Sequence, residues 1–425
     1  MASAWERNPP SRIPAAVAGS RVPRQSTRPE ISVRSGHTPA RRLADASFDR
    51  RLVRDLFAQL SRDRDGAMEY LYARLFADNP DLRGLYPYSM RHTRAAVFRM
   101  LAALAGKLDD EQELVEALGR IARDHRKFGL REKHYQPFFD ALFAMAEHAA
   151  GRAWTAPAAI AWRSALDYFA VVMADAAAAD ASSQPAWWTG EIVQHDRRTD
   201  TVAVLTIRPD RRLSFEPGQH VPVQAPRWPR IWRNYSIANA PRDNGLIDIH
   251  VRAVPGGMVS TALVSHCATG DTVLLGAAKG EMRLPADPAV SLVCVAGGTG
   301  LAPAKAITEA IVGAARQGRR RSITVYAGAR RSRDLYDMRD LRALQLAYPS
   351  LTVIPVVERD LDFDGRIGRL PEVVKSHPSF RDCDVYIAGP AGLITATVRA
   401  LAGRVPAERM HHDSIEALQF ARRPA

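Results

Sequence analysis

The sequence predicts three domains in series: an all-α domain, an antiparallel β-barrel, and an α/β domain built on a parallel sheet. Two changes of period carry this reading. From Phe48 to about Asp180 the apolar residues recur at helical spacing and no strand pattern intervenes. Beyond Trp187 the period drops to two, and from Ala289 strand-like runs alternate with helical ones. A chain of 425 residues is too long for one small core, at roughly 100–200 residues per domain. The boundaries fall at 47–180, 187–286 and 289–418, after a basic extension over residues 1–46.

In the first domain RLVRDLFAQL, AMEYLYARLF, AAVFRMLAALAGKL, ELVEALGRIARDH, YQPFFDALFAMAEHA and AIAWRSALDYFAVVMADAAAA place apolar residues at i, i+3, i+4 and i+7. Breaks fall at Asp78-Asn79-Pro80, at Tyr86-Pro87 and over Gly151 to Pro157. Ala181-Ser182-Ser183-Gln184-Pro185-Ala186 reads as a linker. TGEIVQHDRRTDTVAVLTIRP, HVPVQAP, RNYSIANAP and LIDIHVRAV are short, alternating and β-branched, with Gly-Asp and Asn-Gly turns between strands. Then SLVCVAG leads to AKAITEAIVGAARQ, ITVYAGA to DMRDLRALQLAY, TVIPVVE to RLPEVVKSH, and DVYIAG to LITATVRALAGR. Such βα repeats bury a parallel sheet between helices.

Composition excludes several classes. The hydrophobic fraction of 46% and charged fraction of 25% are those of a folded globular chain. No apolar run approaches the roughly 18 residues that cross a bilayer. The amino-terminal segment carries Arg and Pro where a secretory signal needs an apolar stretch. Cys267, Cys294 and Cys383 lie far apart, which fits a reducing cytoplasm better than a disulfide framework. Of the net charge of +13, five charges sit in residues 1–46, which hold eight arginines against three acids, together with six prolines. Without interleaved aromatics or a helix-turn-helix pattern, this extension reads as solvated and disordered, which argues against a nucleic-acid partner.

Chemistry-bearing motifs concentrate in the later two domains. Gly297-Gly298-Thr299-Gly300-Leu301-Ala302-Pro303 follows an apolar strand and opens a helix. Glycines there admit a pyrophosphate to the helix amides, although a tight turn alone also asks for glycine. Gly389-Pro390 repeats the geometry after DVYIA. Upstream, Arg233, Tyr235 and Ser236 share a strand, and Gly257-Met258-Val259-Ser260 opens a helix. An Arg pairs with pyrophosphate, a Tyr ring stacks on a planar heterocycle, and a Ser hydroxyl bonds ring heteroatoms.

In this order the motifs resemble the ferredoxin–NADP reductase family over about 230 residues, from Trp187 to roughly Leu418. The resemblance implies that Arg233, Tyr235, Ser236 and Gly257 to Ser260 hold FAD. It implies that Gly297, Gly298, Thr299, Gly300 and Pro303, with Gly389 and Pro390, hold NADH or NADPH. The family usually has Cys where Ala388 stands, and its tail places an aromatic on the flavin where Ile415 follows Asp413 here. Arg330, Arg331 and Arg333 either grip the 2′-phosphate of NADPH or form a solvated loop.

Before them, LYARLFADNPDLRGLYPYS, two helices and Tyr135 resemble the globin domain of flavohaemoglobins, which extends the resemblance to about 370 residues. It implies haem b held by His125 as the iron ligand, Tyr72 as the distal hydrogen-bond donor, Tyr86 packed on the haem, and Tyr135 beside the proximal histidine. Three departures stand out: Asp124 replaces a Lys, alanines in MADAAAADAS replace an acidic partner of Tyr135, and Thr93 (beside His92) holds a place usually taken by Gln. The implied function is electron flow from NAD(P)H through FAD to haem, with O₂ and NO as substrates and nitrate as product. The alternatives are a haem-based gas sensor with its own reductase, and a flavin reductase with a haem-free globin.

Overall fold

The computed structural model describes residues 48–413 other than 286, 288, 289, 317 and 319. The basic extension and Ile415 therefore lie outside the described residues. Six helices build the first domain: α1 (Arg50–Leu60), α2 (Arg64–Asp78), α3 (Arg91–Ala105), α4 (Glu111–His125), α5 (Tyr135–Ala150) and α6 (Ala156–Ser183). Side-chain caps start several of them. Asp63 accepts from the Gly66 amide at 3.0 Å and Asp110 from the Glu113 amide at 2.9 Å, each satisfying a donor that the first helical turn leaves open. Leu71 and Leu75 of α2, Leu118 of α4, Leu142 and Met145 of α5 and Leu166 of α6 are at most 2% exposed and form the core.

The linker expected at Ala181 to Ala186 is corrected in its first half. Helix α6 continues to Ser183, because alanines favour helix and the end is tied down. Arg126 ion-pairs with Asp180 and donates to the Gln184 carbonyl at 2.9 Å.

The second domain is one six-stranded antiparallel sheet: β1 (Trp188–Arg197), β2 (Val202–Pro209), β3 (His220–Gln224), β4 (Arg233–Ser236), β5 (Ile247–Arg252) and β6 (Thr272–Leu275), in the order β4-β3-β6-β1-β2-β5. A bridge between Ile237 and Ile249 draws the two edge strands together and nearly closes a barrel. Helix α7 (Met258–Ser265) covers it. Strand β6, only four residues long, shows too little alternation to stand out in the sequence.

The third domain alternates β7 (Ser291–Gly297), α8 (Leu301–Ala315), β8 (Ile323–Ala329), α9 (Met338–Ala347), β9 (Leu351–Val357), β10 (Arg366–Ile367), α10 (Leu370–Lys375), β11 (Cys383–Ala388), α11 (Ala391–Leu401) and β12 (Met410–His411). Its parallel sheet has the order β10-β9-β8-β7-β11-β12. The chain winds outward from β7 in one direction and returns to β11 on its other side. That reversal leaves a crevice at the carboxyl ends of β7 and β11, where such sheets bind ligands.

A buried polar seam joins barrel to sheet. Lys305 donates to Asp337 at 2.9 Å and Asp340 at 2.7 Å, Arg198 reaches Asp337 at 3.3 Å, and His250 Nδ1 meets the Tyr336 hydroxyl at 2.7 Å. Burial, then the Lys305 and Arg198 charges, pushes His250 well below the ordinary histidine range. The folded ring stays neutral while an unfolded one takes a proton below about pH 6.5. The unfolded state then binds more protons, so stability falls as pH drops. Thermal melts between pH 7.5 and 5 should show this fall, and His250→Gln should reduce its slope. An unchanged slope in the variant would count against the assignment.

Candidate cofactor sites

In the helical domain α2 places Tyr72 inward, 4% exposed, with its ring 5.5 Å from Tyr86 and 5.8 Å from Phe76. The Tyr72 hydroxyl is buried and has no hydrogen-bond partner among the described residues. Burial and the neighbouring Tyr86 raise its pKa well above the ordinary value, so it stays protonated and donates. Tyr86 is half-buried, and burial pushes it up to about 12. Arg83 secures the turn around it by donating to the carbonyls of Tyr86 at 3.2 Å and Pro87 at 3.0 Å. Thr93 is half-buried in the first turn of α3, with His92 exposed beside it.

His125 is the last residue of α4. No hydrogen bond described for the protein engages its ring, and burial, then Lys127, lowers its pKa to about 4. The segment that follows folds back toward the Tyr86 turn: a Cβ built on Gly129 would lie 3.8 Å from Leu85 Cδ2. Tyr135 opens α5, and its buried hydroxyl also lacks a partner. Burial pushes it up to about 12, while Asp180 is engaged by Arg126. A neutral, uncommitted imidazole is the form that haem iron takes as an axial ligand, and two buried hydroxyls await acceptors. These residues fit a haem.

On the barrel, β4 pairs with β3 so that Tyr235 faces Val221 and Ser236 faces His220. Arg233 and Tyr235 share one face by strand alternation. Arg233 Nη1 donates to the Trp232 carbonyl at 2.9 Å, while the Tyr235 ring packs on the barrel core. At the second motif the residues divide by role. A Cβ on Gly257 would lie 2.5 Å from Ser260 Oγ and Val254 Cγ2, so only glycine fits there. Ser260 receives the Val254 amide and donates to the Gly257 carbonyl, both at 3.3 Å, and thus braces the turn. Val259 is a core residue of the barrel, and Met258 is half-buried. Besides bracing the turn, the Ser260 hydroxyl and the amides opening α7 are what this segment would offer a flavin pyrophosphate.

The two glycine turns of the α/β domain meet in the crevice. Ala296 on β7 is in register with Ala388 on β11, so Gly297 to Gly300 abuts Gly389 and Pro390. A Cβ on Gly300 would lie 2.3 Å from the Ala388 oxygen and 2.5 Å from the Gly389 nitrogen. Thr299 completes the short turn, and Pro303, buried in the first turn of α8, pre-sets the helix. A small cavity lined by Ala296, Gly298, Leu301, Leu335, Tyr336 and Met338 lies on this cradle. The arrangement fits a dinucleotide pyrophosphate against a helix N-terminus.

Sequence reading missed Arg252 and Tyr336. Arg252 ends β5, and its Nη2 would lie 3.5 Å from a Cβ on Gly298, which puts a guanidinium of the barrel over the dinucleotide turn. The available signal was a lone Arg between a strand and a glycine pair, too common to single out. Arg330, Arg331 and Arg333 are exposed, and Ser332 between them donates to Asp360 at 2.5 Å from its amide and 2.6 Å from its hydroxyl. Those bonds, then Arg331 and Arg333, hold the Asp360 carboxyl below its usual range. Cys294 lies inside the sheet with its thiol pushed up to about 12 by burial, so it supplies no reactive sulfur in place of Ala388.

Comparison with known families matches residues 69–173 to the Globin family, 190–284 to the Oxidoreductase FAD-binding domain and 294–399 to the Oxidoreductase NAD-binding domain. A flavohemoprotein of Bordetella pertussis is 26% identical over 396 residues, covering 86% of this chain and 97% of the relative. The electron transfer component of a xylene/toluene monooxygenase from Pseudomonas putida is 32% identical over 209 residues, 48% of this chain; the chain spans 58% of that relative's length. Among solved structures, a flavohemoglobin from Malassezia yamatoensis with bound FAD and haem shares the fold at a TM-score of 0.70 and 18% identity, over 86% of this chain and 97% of that one. No helix among the described residues is long and apolar enough to cross a membrane.

Proposed function

This chain belongs to the flavohaemoglobin family, and from that premise we propose that it is a nitric oxide dioxygenase, passing electrons from NAD(P)H through FAD to haem and turning nitric oxide and oxygen into nitrate. It is an oxidoreductase with FAD- and NAD(P)-binding domains joined to a globin. When bound, the cofactors supply hydride acceptance, single-electron transfer and reversible gas binding.

The chain supplies position and polarity. The paired turns at Gly297 to Gly300 and Gly389 to Pro390 would seat the dinucleotide, with Arg252 opposite its phosphates. Arg233 and Tyr235, with the amides opening α7, would hold the flavin on the barrel face nearest that crevice. His125 would ligate iron as a neutral imidazole, and Tyr72 would donate a hydrogen bond to a gas held in the pocket. The observation that carries the reading is the Tyr72 hydroxyl, a buried donor with no partner of its own in a domain whose His125 imidazole is also uncommitted.

Anaerobic reduction with NADH, followed by oxygen and nitric oxide, tests it. Nitric oxide consumption well above autoxidation is expected, and its absence in a protein whose haem does reduce would remove the dioxygenase assignment. Tyr72→Phe should speed oxygen loss about tenfold, the value of roughly one hydrogen bond. An oxygen dissociation rate unchanged by the substitution would take Tyr72 out of the site.

The partnerless Tyr135 hydroxyl favours a second reading. A proximal imidazole tied into a carboxylate network is more electron-rich; without one, this globin would bind gas with slow turnover, as a sensor does. Sustained NADH use in the presence of nitric oxide and oxygen separates the two.

A further inference from the structure

Asp124 precedes His125 and Lys127 follows two residues later; apart from the Lys127 charge that bears on His125, neither has a part in the pocket described above. Asp124 Oδ1 takes Lys127 Nζ at 2.5 Å from its own segment and also ion-pairs with Lys279 of the barrel. Lys279 is not a free surface lysine at the level of its backbone. It exchanges two hydrogen bonds of 2.8 Å with His220, and His220 is in register with Ser236 on the candidate flavin strand. The pair thus ties the residue before the candidate proximal histidine to the start of β3, the strand next to β4.

Aromatic contacts run alongside it. The His125 and Phe128 rings lie 6.3 Å apart, and Phe128 meets Trp232 edge to face at 6.5 Å. Lys127 Nζ sits over both rings, 5.1 Å from Phe128 and 6.0 Å from Trp232. Trp232 immediately precedes Arg233, is 9% exposed, and leaves its indole N–H without a partner. A charged pair and two packed rings therefore span the seam between the candidate haem and flavin sites. The paired side chains are 32% and 37% exposed, so solvent and salt reach them.

We propose that the Asp124–Lys279 pair, closing Phe128 onto Trp232, holds the globin and the flavin barrel in electron-transfer register, so that Asp124 and Lys279 are positioning residues for the flavin-to-haem step. With both cofactors bound, that step would carry one electron from reduced flavin to the iron that His125 would hold, so the electron pair of one NAD(P)H would serve two such transfers. Neither residue is among those that would seat the dinucleotide at the Gly297 and Gly389 turns. The inference rests on the flavohaemoprotein reading above.

The full chain, loaded with haem and FAD, is mixed anaerobically with NADH while flavin bleaching and the ferrous Soret band are followed separately. In the wild type both steps proceed, and rising salt should slow the second while sparing the first. Asp124→Lys, which sets three ammonium groups together, should slow haem reduction about tenfold with flavin reduction unchanged. Adding Lys279→Asp should restore the rate to within about twofold, since the pair is re-formed in reverse. Small-angle scattering gives a readout independent of turnover: the radius of gyration should rise in Asp124→Lys and return in the double variant. In the aromatic contact, Trp232→Phe should retain haem reduction better than Trp232→Leu. Equal haem reduction in wild type and Asp124→Lys, or failure of the double variant to recover either readout, would overturn the proposal. A wild type in which NADH bleaches flavin but never reduces haem would instead overturn the underlying reading, and is visible before any variant is compared.

Discussion

His125→Ala is expected to leave a yellow protein, with the Soret band lost and the flavin spectrum kept. The imidazole is neutral, its pKa lowered to about 4 by burial, so at neutral pH its lone pair is available to iron. Haem content should fall at least about tenfold if, as proposed, His125 is the residue that would hold the iron. NADH should still reduce an artificial acceptor such as ferricyanide, because the barrel and crevice lie in other domains. Added imidazole should restore part of the Soret band by filling the space the side chain vacates. A variant that keeps wild-type haem content would show that another residue holds the iron.

The second large effect belongs to Gly300→Val. Any Cβ at this position lands 2.3 Å from the Ala388 oxygen and 2.4 Å from its carbonyl carbon. Those atoms end β11 and cannot retreat without opening its pairing with β7 at Ala296. The two turns must separate, and the amides that would meet the pyrophosphate lose their shared geometry. Overpacking of this kind costs roughly 1–3 kcal/mol of stability, and the crevice should bind NADH at least about 100-fold more weakly. Flavin and haem contents should persist, and dithionite should still reduce both. Gly313→Ala is the control: it lies on α8, nothing stands within 4 Å of its Cβ, and helix propensity favours alanine there. If Gly300→Val leaves the KM for NADH unchanged, the dinucleotide lies elsewhere.

The elements that carry the candidate residues were legible as local pattern, while the roles expected of those residues came from the resemblance. His125 ends an amphipathic helix, Arg233 to Ser236 form a strand, and Gly297 to Gly300 lie between an apolar strand and a helix. Each of these facts is contained in a window of fewer than twenty residues, because helix and strand periods are local. Ser260 shows the limit of that reading. Its residue type suits a ligand, and its hydroxyl also braces the turn that begins at Val254, a second use that only the folded loop reveals.

By itself the sequence determined the order of the three domains, the type of their longer elements and the neighbourhoods of the cofactor motifs, since burying one face of each element imposes a period on its residues. Tertiary structure alone decided which distant side chains meet: Arg252 over Gly298, His250 on Tyr336, Arg126 on Asp180 and Asp124 on Lys279. Those pairs lie 46 to 155 positions apart. No periodicity extends across a change of domain, and a charge on the surface of one element carries no local mark of the partner that packing will bring to it.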